Sequence, residues 1–316
     1  MVKQDKCGQI IFVGQYSPQI MAHAVSDGSF EILAPRAWTA PAVFNSPHSG
    51  RQYPADLMRM TRLSSQALRK SEDCYIDELF IACVELGAPL LRAHVPRAYV
   101  DLNREAYEFD PRMFACELPG FMNTGSPRVA GGLGTIPRLV AEGEEIYRER
   151  LSLSDALQRV DTIYRPYHRT LKALLDEVLN TTGSVLLMDC HSMPSNATSF
   201  ISPPRQTAID VVIGDRYGAS CPEEITSHVE DLLRAHGLRV VRNKPYAGGF
   251  ITQNYGSPTL GRNALQIEIN RALYMNEQRL EKTPDFAALQ ATLRNVIEAL
   301  LETLVEFANP LRQAAE

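Results

Sequence analysis

The sequence has few cysteines, and none of them form a CxxC pair. Its 316 residues include six, scattered along the chain: Cys7, Cys74, Cys83, Cys116, Cys190 and Cys221. This spacing excludes a zinc ribbon and a disulfide-stapled scaffold. The GxSxG motif and the Walker-type phosphate loop are also missing, so two common enzyme signatures do not apply. The cysteine usage predicts a protein of the reducing cytoplasm.

The sequence also has no excess of basic residues. Its formal net charge is −5 and its pI is about 5.9. Surfaces that bind nucleic acid need clustered positive charge. We therefore expect a small-molecule partner and no nucleic acid.

Long hydrophobic runs are missing as well. No window approaches the ~18 uninterrupted apolar residues of a membrane helix. The apolar run at residues 10–13 is short and is not followed by the cleavage site of a secretion signal. We expect a protein with no membrane segment that stays in the cytoplasm, and the sequence leaves a homo-oligomer open.

The sequence does contain an alternation of apolar strands and amphipathic helices. With 45% hydrophobic residues, the chain can bury a large core. The alternation predicts an α/β fold, in which helices flank a mixed, mostly parallel sheet. Two strand-like runs, at 9–13 and 30–33, precede this pattern and are separated by the turn dipeptide Asp27-Gly28. We divide the chain into an N-terminal β appendage, 1–40, and a single domain, 41–316.

Periodicity places the main elements. Apolar residues at three and four spacing predict helices at 73–86, 153–179, 222–236 and 286–307. Pro166 should kink or divide the second helix. Apolar runs predict strands at 42–44, 89–95, 184–188, 209–213, 239–242 and 265–269. The stretch 103–138 is rich in glycine, proline and polar residues, which favours a long loop near a site.

Two histidines directly follow predicted strands. His48 lies in the polar cluster 45–50, and His191 lies in the cluster 189–195. Functional groups gather beyond the carboxyl ends of parallel strands, and imidazole is a usual zinc ligand in hydrolases. Taken singly, each histidine is more often a turn residue. The two together favour a metal site.

A carboxylate would complete such a site. Asp73, at the expected start of the helix 73–86, is the candidate, and Glu72 and Asp77 compete with it. An acid at this place is otherwise an ordinary N-terminal helix residue that complements the helix dipole.

Glu268 stands in the apolar run LQIEIN, where an unpaired charge is costly. Either it forms a buried ion pair with Arg262 or Arg271, or it is a general base. The residues leave both interpretations open. Cys190 is not a nucleophile paired with its neighbour His191, because adjacent residues on a strand point to opposite faces.

Arginines bind carboxylate substrates well because their planar fork matches two oxygens. Arg104 and Arg262 are the candidates, and each has a structural alternative as the partner of Asp101 or Glu268. The glycine-containing stretch 247–256 favours close approach of backbone to a ligand. Two of its side chains are expected to support substrate binding, namely Thr252 and Tyr255.

Nine segments, in order from Phe44 to Met275, together resemble the N-formylglutamate amidohydrolase family. They are FNSPHSGRQYP, SEDCYIDELF, VPRAYVDLNRE, GLGTIPR, YRPYHRTL, LLMDCHSMPS, VVIGDRYGASC, NKPYAGGFITQNYG and LQIEINRALYM. The resemblance implies a three-layer sandwich related to zinc carboxypeptidases (phosphorylase/hydrolase-like) and to N-acetylmuramoyl-alanine amidases. It also implies hydrolysis of N-formyl-L-glutamate to formate and L-glutamate, a step of histidine degradation.

The resemblance further implies a site with one divalent metal, Zn²⁺, held by a His, carboxylate, His set. His48 and His191 match its ligands, and Glu268 matches the catalytic base. The carboxypeptidase relatives carry a glutamate three residues after the first histidine, where this chain has Arg51. The carboxylate ligand must come from elsewhere, and Asp73 resembles the helix-start acid of the muramoyl amidases.

Two other functions stay open. One is hydrolysis of another N-acyl amino acid or a small peptide, because the unassigned loop could shape a different acyl pocket. The other is a non-catalytic protein that binds a metal or ligand on the same scaffold. The retained Glu268 argues against the second.

Overall fold

The chain folds around a seven-stranded mixed sheet. The structure, a computed structural model, describes residues 28–141, 143–199 and 208–307, together with two short strands closer to the N-terminus. The strands are β1 (Val2–Gln4), β2 (Ile10–Phe12), β3 (Phe30–Leu33), β4 (Ala42–Ser46), β5 (Leu90–Ala93), β6 (Leu139–Ala141), β7 (Glu144–Glu145), β8 (Val185–Met193), β9 (Val211–Gly214), β10 (Val240–Arg242), β11 (Arg262–Asn270), β12 (Met275–Asn276) and β13 (Glu281–Lys282). The order in the central sheet is β10-β9-β11-β8-β4-β5-β3.

Helices lie on both faces of this sheet. They are α1 (Ala55–Met60), α2 (Ser65–Leu68), α3 (Ile76–Leu79), α4 (Ala82–Glu85), α5 (Pro127–Ala130), α6 (Leu153–Arg159), α7 (Arg165–Thr182), α8 (Glu223–Ala235), α9 (Phe250–Tyr255) and α10 (Phe286–Phe307). Short 3-10 turns occur at Arg69–Ser71, Pro111–Met113, Pro258–Leu260 and Arg271–Leu273.

Four neighbouring strands, β11, β8, β4 and β5, run parallel, so their carboxyl ends lie at one edge of the sheet. At the two sides the direction changes, because β3 is antiparallel to β5 and β9 is antiparallel to β11. This arrangement confirms the prediction of a mixed, mostly parallel sheet flanked by helices.

Two apolar cores fill the spaces between the layers. On one face, Tyr167 and Leu171 of α7 pack in the same cluster as Leu187 of β8. On the other face, Leu293 of α10 packs in the same cluster as Leu186 of β8. Successive strand residues point to opposite faces, so one strand supplies side chains to both cores.

The long amphipathic stretch before β8 is divided, as predicted. A π-helical turn, Val160–Tyr164, joins α6 to α7, and Pro166 is the second residue after it. Proline has no N–H to donate and its ring crowds the preceding turn, which accounts for the irregular ladder at this point. The helix α7 ends at Gly183, whose φ of 76° is the left-handed value that glycine adopts without strain.

The predicted helix at 73–86 is broken. It forms two short helices, α3 and α4, and Tyr75 before α3 has a left-handed φ of 64°. Asp73 therefore precedes the first helix, and its backbone N–H donates to the carbonyl oxygen of His48 at 3.0 Å. Apolar spacing found the buried face, but the turn is fixed by contact with another segment.

The two strand-like runs near the N-terminus lie in different sheets. Phe30–Leu33 is an edge strand of the central sheet, antiparallel to β5, and is not paired with the strand at 9–13. The latter appears as Ile10–Phe12 and pairs with Val2–Gln4. Burial of Phe30 in the core favours the central sheet for this strand. The division of the chain at residue 40 stays a prediction.

In the described part of the chain, none of the helices combines the length and the apolar character that crossing a lipid bilayer requires. This holds for α7 and also for α10, the longest helix described.

The central strands predict a stability difference between two leucines. Leu265 of β11 is completely buried, whereas Leu260 is 65% exposed. We expect Leu265→Ala to lower the free energy of unfolding by about 2–5 kcal/mol, because it removes buried methyl groups and leaves a cavity. Leu260→Ala should change it by less than about 0.5 kcal/mol. Guanidinium denaturation measures both, and equal losses would contradict the core assignment.

Candidate active site

The two histidines meet at the carboxyl edge of the sheet. His48 is the second residue after β4, and β4 pairs with β8, which carries His191. The two imidazole centroids lie 4.8 Å apart. Strand β8 is longer than predicted, so His191 lies within the strand and not in a loop after it. Both rings are buried.

Asp73 lies between the two rings. Its Oδ2 atom is 2.9 Å from His191 Nδ1 and 3.3 Å from His48 Nδ1. Its Oδ1 atom accepts a hydrogen bond from Ser192 Oγ at 3.1 Å and lies 3.3 Å from Arg271 Nη2. Burial opposes ionisation of Asp73, but its hydrogen bond with His191 and the charges of both histidines outweigh burial and hold the pKa of Asp73 well below its usual value.

The two competing acids point elsewhere. Glu72 accepts hydrogen bonds from Tyr53 and Arg69. Asp77 accepts from Arg51 at 2.9 Å and from Arg92 at 3.0 Å. The structure therefore brings Asp73, and neither competitor, to the histidines.

Each imidazole is held from its far nitrogen by another buried carboxylate. His48 Nε2 lies 2.8 Å from Asp101 Oδ1, and His191 Nε2 lies 2.9 Å from Asp189 Oδ2. An ionised carboxylate can only accept, so each Nε2 carries the proton that it donates. In a neutral ring this leaves a lone pair on Nδ1, facing Asp73.

These donors fit a divalent metal. One ligand atom each from His48, Asp73 and His191 lie within 4.8 Å of one another. His48 Nδ1 is buried and has no hydrogen-bond partner among the described residues. Two nitrogen lone pairs and a carboxylate repel one another unless a cation sits between them. That cation can be a proton on His191. Burial lowers the pKa of His191, but Asp189 and Asp73 outweigh burial and raise it. The cation can also be a metal ion with two imidazole ligands and one carboxylate ligand.

Glu268 lies beside this cluster. It is directly opposite His191 in the ladder between β11 and β8, and it is 7% exposed. Its Oε1 accepts from Gln266 Nε2 at 2.8 Å. Burial raises the pKa of Glu268 to about 7. The charge of His191 acts to lower this pKa, and the negative charge of Asp73 acts to raise it. A carboxyl group with this pKa can both accept and return a proton near neutral pH.

The alternative of a buried ion pair for Glu268 is not what the structure shows. Arg262 pairs with Asp176 at 2.6 Å. Arg271 donates to Ser192 and contacts Asp73. The potential ion-pair partners of Glu268 are thus engaged by other groups.

Several buried residues that sequence reasoning did not select hold the cluster in place. Asp189 accepts from Asn45 Nδ2 at 2.7 Å, and Tyr167 donates to the side-chain oxygen of Asn45. Asn103 Nδ2 donates to Asp189 Oδ2 at 3.4 Å. Asp189 could have been predicted from the sequence, because Asp189 and His191 are two residues apart on one strand and their side chains lie on the same face. Asp101 and Asn103 follow β5, the next parallel strand.

A cavity of about 520 Å³ opens above the cluster. His48, Asp73, His191 and Glu268 form part of its lining. Five cationic side chains also line it: Lys70, Arg97, Arg104, Arg128 and Arg271. The predicted close-approach segment supplies Gly249, where a Cβ atom would lie only 2.4 Å from Asn103 Nδ2.

The predicted substrate-binding residues are not all near this cavity. Arg104 lines it. Thr252 donates to the carbonyl of Gly249, and Tyr255 contacts His168, so both lie outside the cavity lining. Arg262 begins β11, at the opposite end of the strand from Glu268. The role predicted for Arg262 stays a prediction, although the structure places this residue six positions before Glu268 on the same strand and pairs it with Asp176.

The fold and the site define the class of protein. Imidazoles and carboxylates lie at the carboxyl edge of the sheet of an α/β fold, below a cavity. This arrangement is typical of a hydrolytic enzyme. The family model for N-formylglutamate amidohydrolase matches residues 40–275. The chain belongs to this family and is an amidohydrolase.

Individual relatives agree with this assignment. The N-formylglutamate deformylase of Pseudomonas aeruginosa is 28% identical over 276 residues, covering 86% of this chain and 96% of that protein. The deformylase of Pseudomonas putida is 28% identical over 267 residues, covering 83% and 92%. The crystal structure of N-formylglutamate amidohydrolase from Ralstonia eutropha JMP134 superposes with a TM-score of 0.82 at 35% identity, covering 88% of this chain and 98% of that chain.

Proposed function

We propose that the protein hydrolyses N-formyl-L-glutamate to formate and L-glutamate. The named relatives support this substrate. The observation that carries the proposal is the position of Glu268, a buried carboxyl group directly opposite His191 in the strand ladder. It stands beside the His–Asp–His cluster in a cavity with cationic walls. A dicarboxylic substrate suits such walls.

We propose that His48, Asp73 and His191 hold one divalent metal, Zn²⁺. When bound, the cation supplies Lewis-acid chemistry, which makes water more acidic and polarises an amide carbonyl. Asp101 and Asp189 orient the two rings, as outer carboxylates do in many metal sites.

Glu268 transfers a proton from water to the amide nitrogen in this proposal. It accepts a proton from the attacking water as the new C–O bond forms at the formyl carbon. It then gives that proton to the amide nitrogen as the C–N bond breaks, so that L-glutamate leaves as the amine. We further propose that this reaction serves histidine degradation in the cytoplasm, where it would consume the N-formyl product of an earlier step.

The acyl group tests the substrate directly. We expect the zinc-loaded protein to release formate from N-formyl-L-glutamate with a kcat/KM at least about 10-fold above that for acetate release from N-acetyl-L-glutamate, because a pocket built for a formyl group has to fit an extra methyl. Assays of the two products measure this. Faster acetate release would point to another N-acyl amino acid, and a metal-bound protein without turnover would point to a binding protein.

The base assignment predicts a loss of turnover without loss of metal. Glu268→Gln keeps the shape of the side chain but cannot accept the proton, so kcat should fall by about 10²–10⁴-fold. Glu281→Gln, on the exposed strand β13, is the matched control and should match the wild type. Steady-state kinetics with metal analysis of each variant test this. Turnover of Glu268→Gln within a few-fold of wild type would remove Glu268 from the mechanism.

The metal site predicts a ranking of zinc affinities. Asp101→Asn weakens the support of His48 and should cost about 10–100-fold in affinity, whereas Asp73→Asn removes a ligand and should cost more. Asp77→Asn is the control, since Asp77 is buried nearby but pairs with Arg51 and Arg92. Competition with a chromophoric chelator gives each affinity. The assignment is wrong if Asp77→Asn loses zinc and Asp73→Asn retains it.

A further inference from the structure

The five cationic side chains of the cavity differ in how many of their N–H groups are already used. Arg271 donates to Ser192 Oγ at 3.0 Å, to the Glu72 carbonyl at 2.7 Å and to the Lys70 carbonyl at 3.3 Å. Its guanidinium is therefore committed to the protein. Lys70 forms an ion pair with Glu144.

Arg104 is largely committed as well. Its Nε donates to the Leu133 carbonyl and its Nη1 to the Asn103 carbonyl, both at 2.7 Å. Its Nη2 lies 3.7 Å from Asp101. Arg104 thus joins two segments of the cavity wall, and its Nη2 group, which could face a substrate carboxylate, already lies near Asp101.

Arg97 and Arg128 retain free donors. Among the described residues, the guanidinium of Arg97 has one partner, Asp101, at 2.7 Å. The guanidinium of Arg128 is half-buried and has no hydrogen-bond or ion-pair partner in the described ranges. Two cations with free donors in one cavity match the two carboxylates of an acidic amino acid.

The position of Arg128 is fixed by its short helix, α5. Ser126 caps this helix by accepting from the Val129 N–H at 3.0 Å. The Leu133 N–H donates to the Arg128 carbonyl at 2.8 Å, and Arg104 holds the Leu133 carbonyl. The backbone that carries the Arg128 side chain is therefore connected through Leu133 to the segment that carries Arg104.

The two free arginines differ in their relation to the reacting centre. Arg97 pairs with Asp101, which also holds His48, so Arg97 lies next to the metal cluster. Arg128 belongs to the wall that includes Leu133 and Val140, whose apolar side chains also line the cavity. Burial, together with the charges of Arg97 and Arg128, lowers the pKa of Arg104 despite Asp101. Uncompensated positive charge of this kind favours anions.

Resting on the proposed function, we propose that Arg97 binds the α-carboxylate of the N-acyl amino acid and that Arg128 binds its side-chain carboxylate. The α-carboxylate is one carbon from the amide nitrogen and belongs beside the cluster. The side-chain carboxylate is two methylenes farther and reaches Arg128 along the apolar wall. Arg128 thereby selects glutamate over neutral side chains of the same length.

The test compares N-formyl-L-glutamate with N-formyl-L-glutamine, which has the same shape and no side-chain charge. Arg128→Met should lower kcat/KM for the glutamate substrate by roughly 10–100-fold, mainly through KM, because the carboxylate loses its charged partner. The value for the glutamine substrate should change by less than about 3-fold. The preference of the enzyme for glutamate should therefore largely disappear, and Arg128→Lys should restore part of it.

Arg169→Met is the control, because Arg169 is exposed on α7 and should leave the preference unchanged. Circular dichroism checks the fold of each variant, and Arg128→Gln carries the same comparison if Arg128→Met does not fold. An undiminished preference for glutamate, or an equal loss on both substrates, would overturn the role of Arg128 while leaving the proposed function intact. No hydrolysis of N-formyl-L-glutamate by the wild type would overturn both.

Discussion

Asp73 lies between the Nδ1 atoms of His48 and His191, and the other nitrogen of each ring donates to a further buried carboxylate. Anions buried this close together are costly unless they are compensated. Arginines and amide side chains around the cluster supply part of that compensation. The remaining requirement for a cation lies between the two rings, which is why a metal fits there and why His191 otherwise holds a proton.

The sheet makes this contact possible. Strands β4, β8 and β11 run parallel and end at one edge, so residues far apart in the chain become neighbours. The register of β8 with β11 sets Glu268 opposite His191. Glu268 is thereby buried beside the cluster without an arginine of its own among the described residues, and its raised pKa follows from that burial.

The segment after β5 connects the cluster to the substrate side of the cavity. Asp101 holds His48 with one oxygen and Arg97 with the other. Arg104 ties this segment to the loop that carries Arg128. In the proposed site, recognition of the substrate and support of the cluster therefore involve the same backbone segment.

Local sequence patterns predicted many of the helices and strands of this fold and part of its site. Apolar periodicity placed the strands around the site and the helix at 286–307, and Pro166 divided its helix as a proline must. The pair His48 and His191 could be found because each follows an apolar run in the sequence. The break of the helix at 73–86 could not be predicted, because its turn is fixed by a hydrogen bond to His48, a residue on another segment.

The sequence by itself thus determined the elements, the strand-end position of His48, and the presence of a carboxylate in an apolar strand. Only the tertiary structure decided which charges meet. Arg262 and Glu268 share one strand but lie at opposite ends of it, whereas Asp73 and Asp101 reach the histidines through the fold. Periodicity reports which side of an element is buried, and it carries no information about the partner that a buried charge finds across the chain.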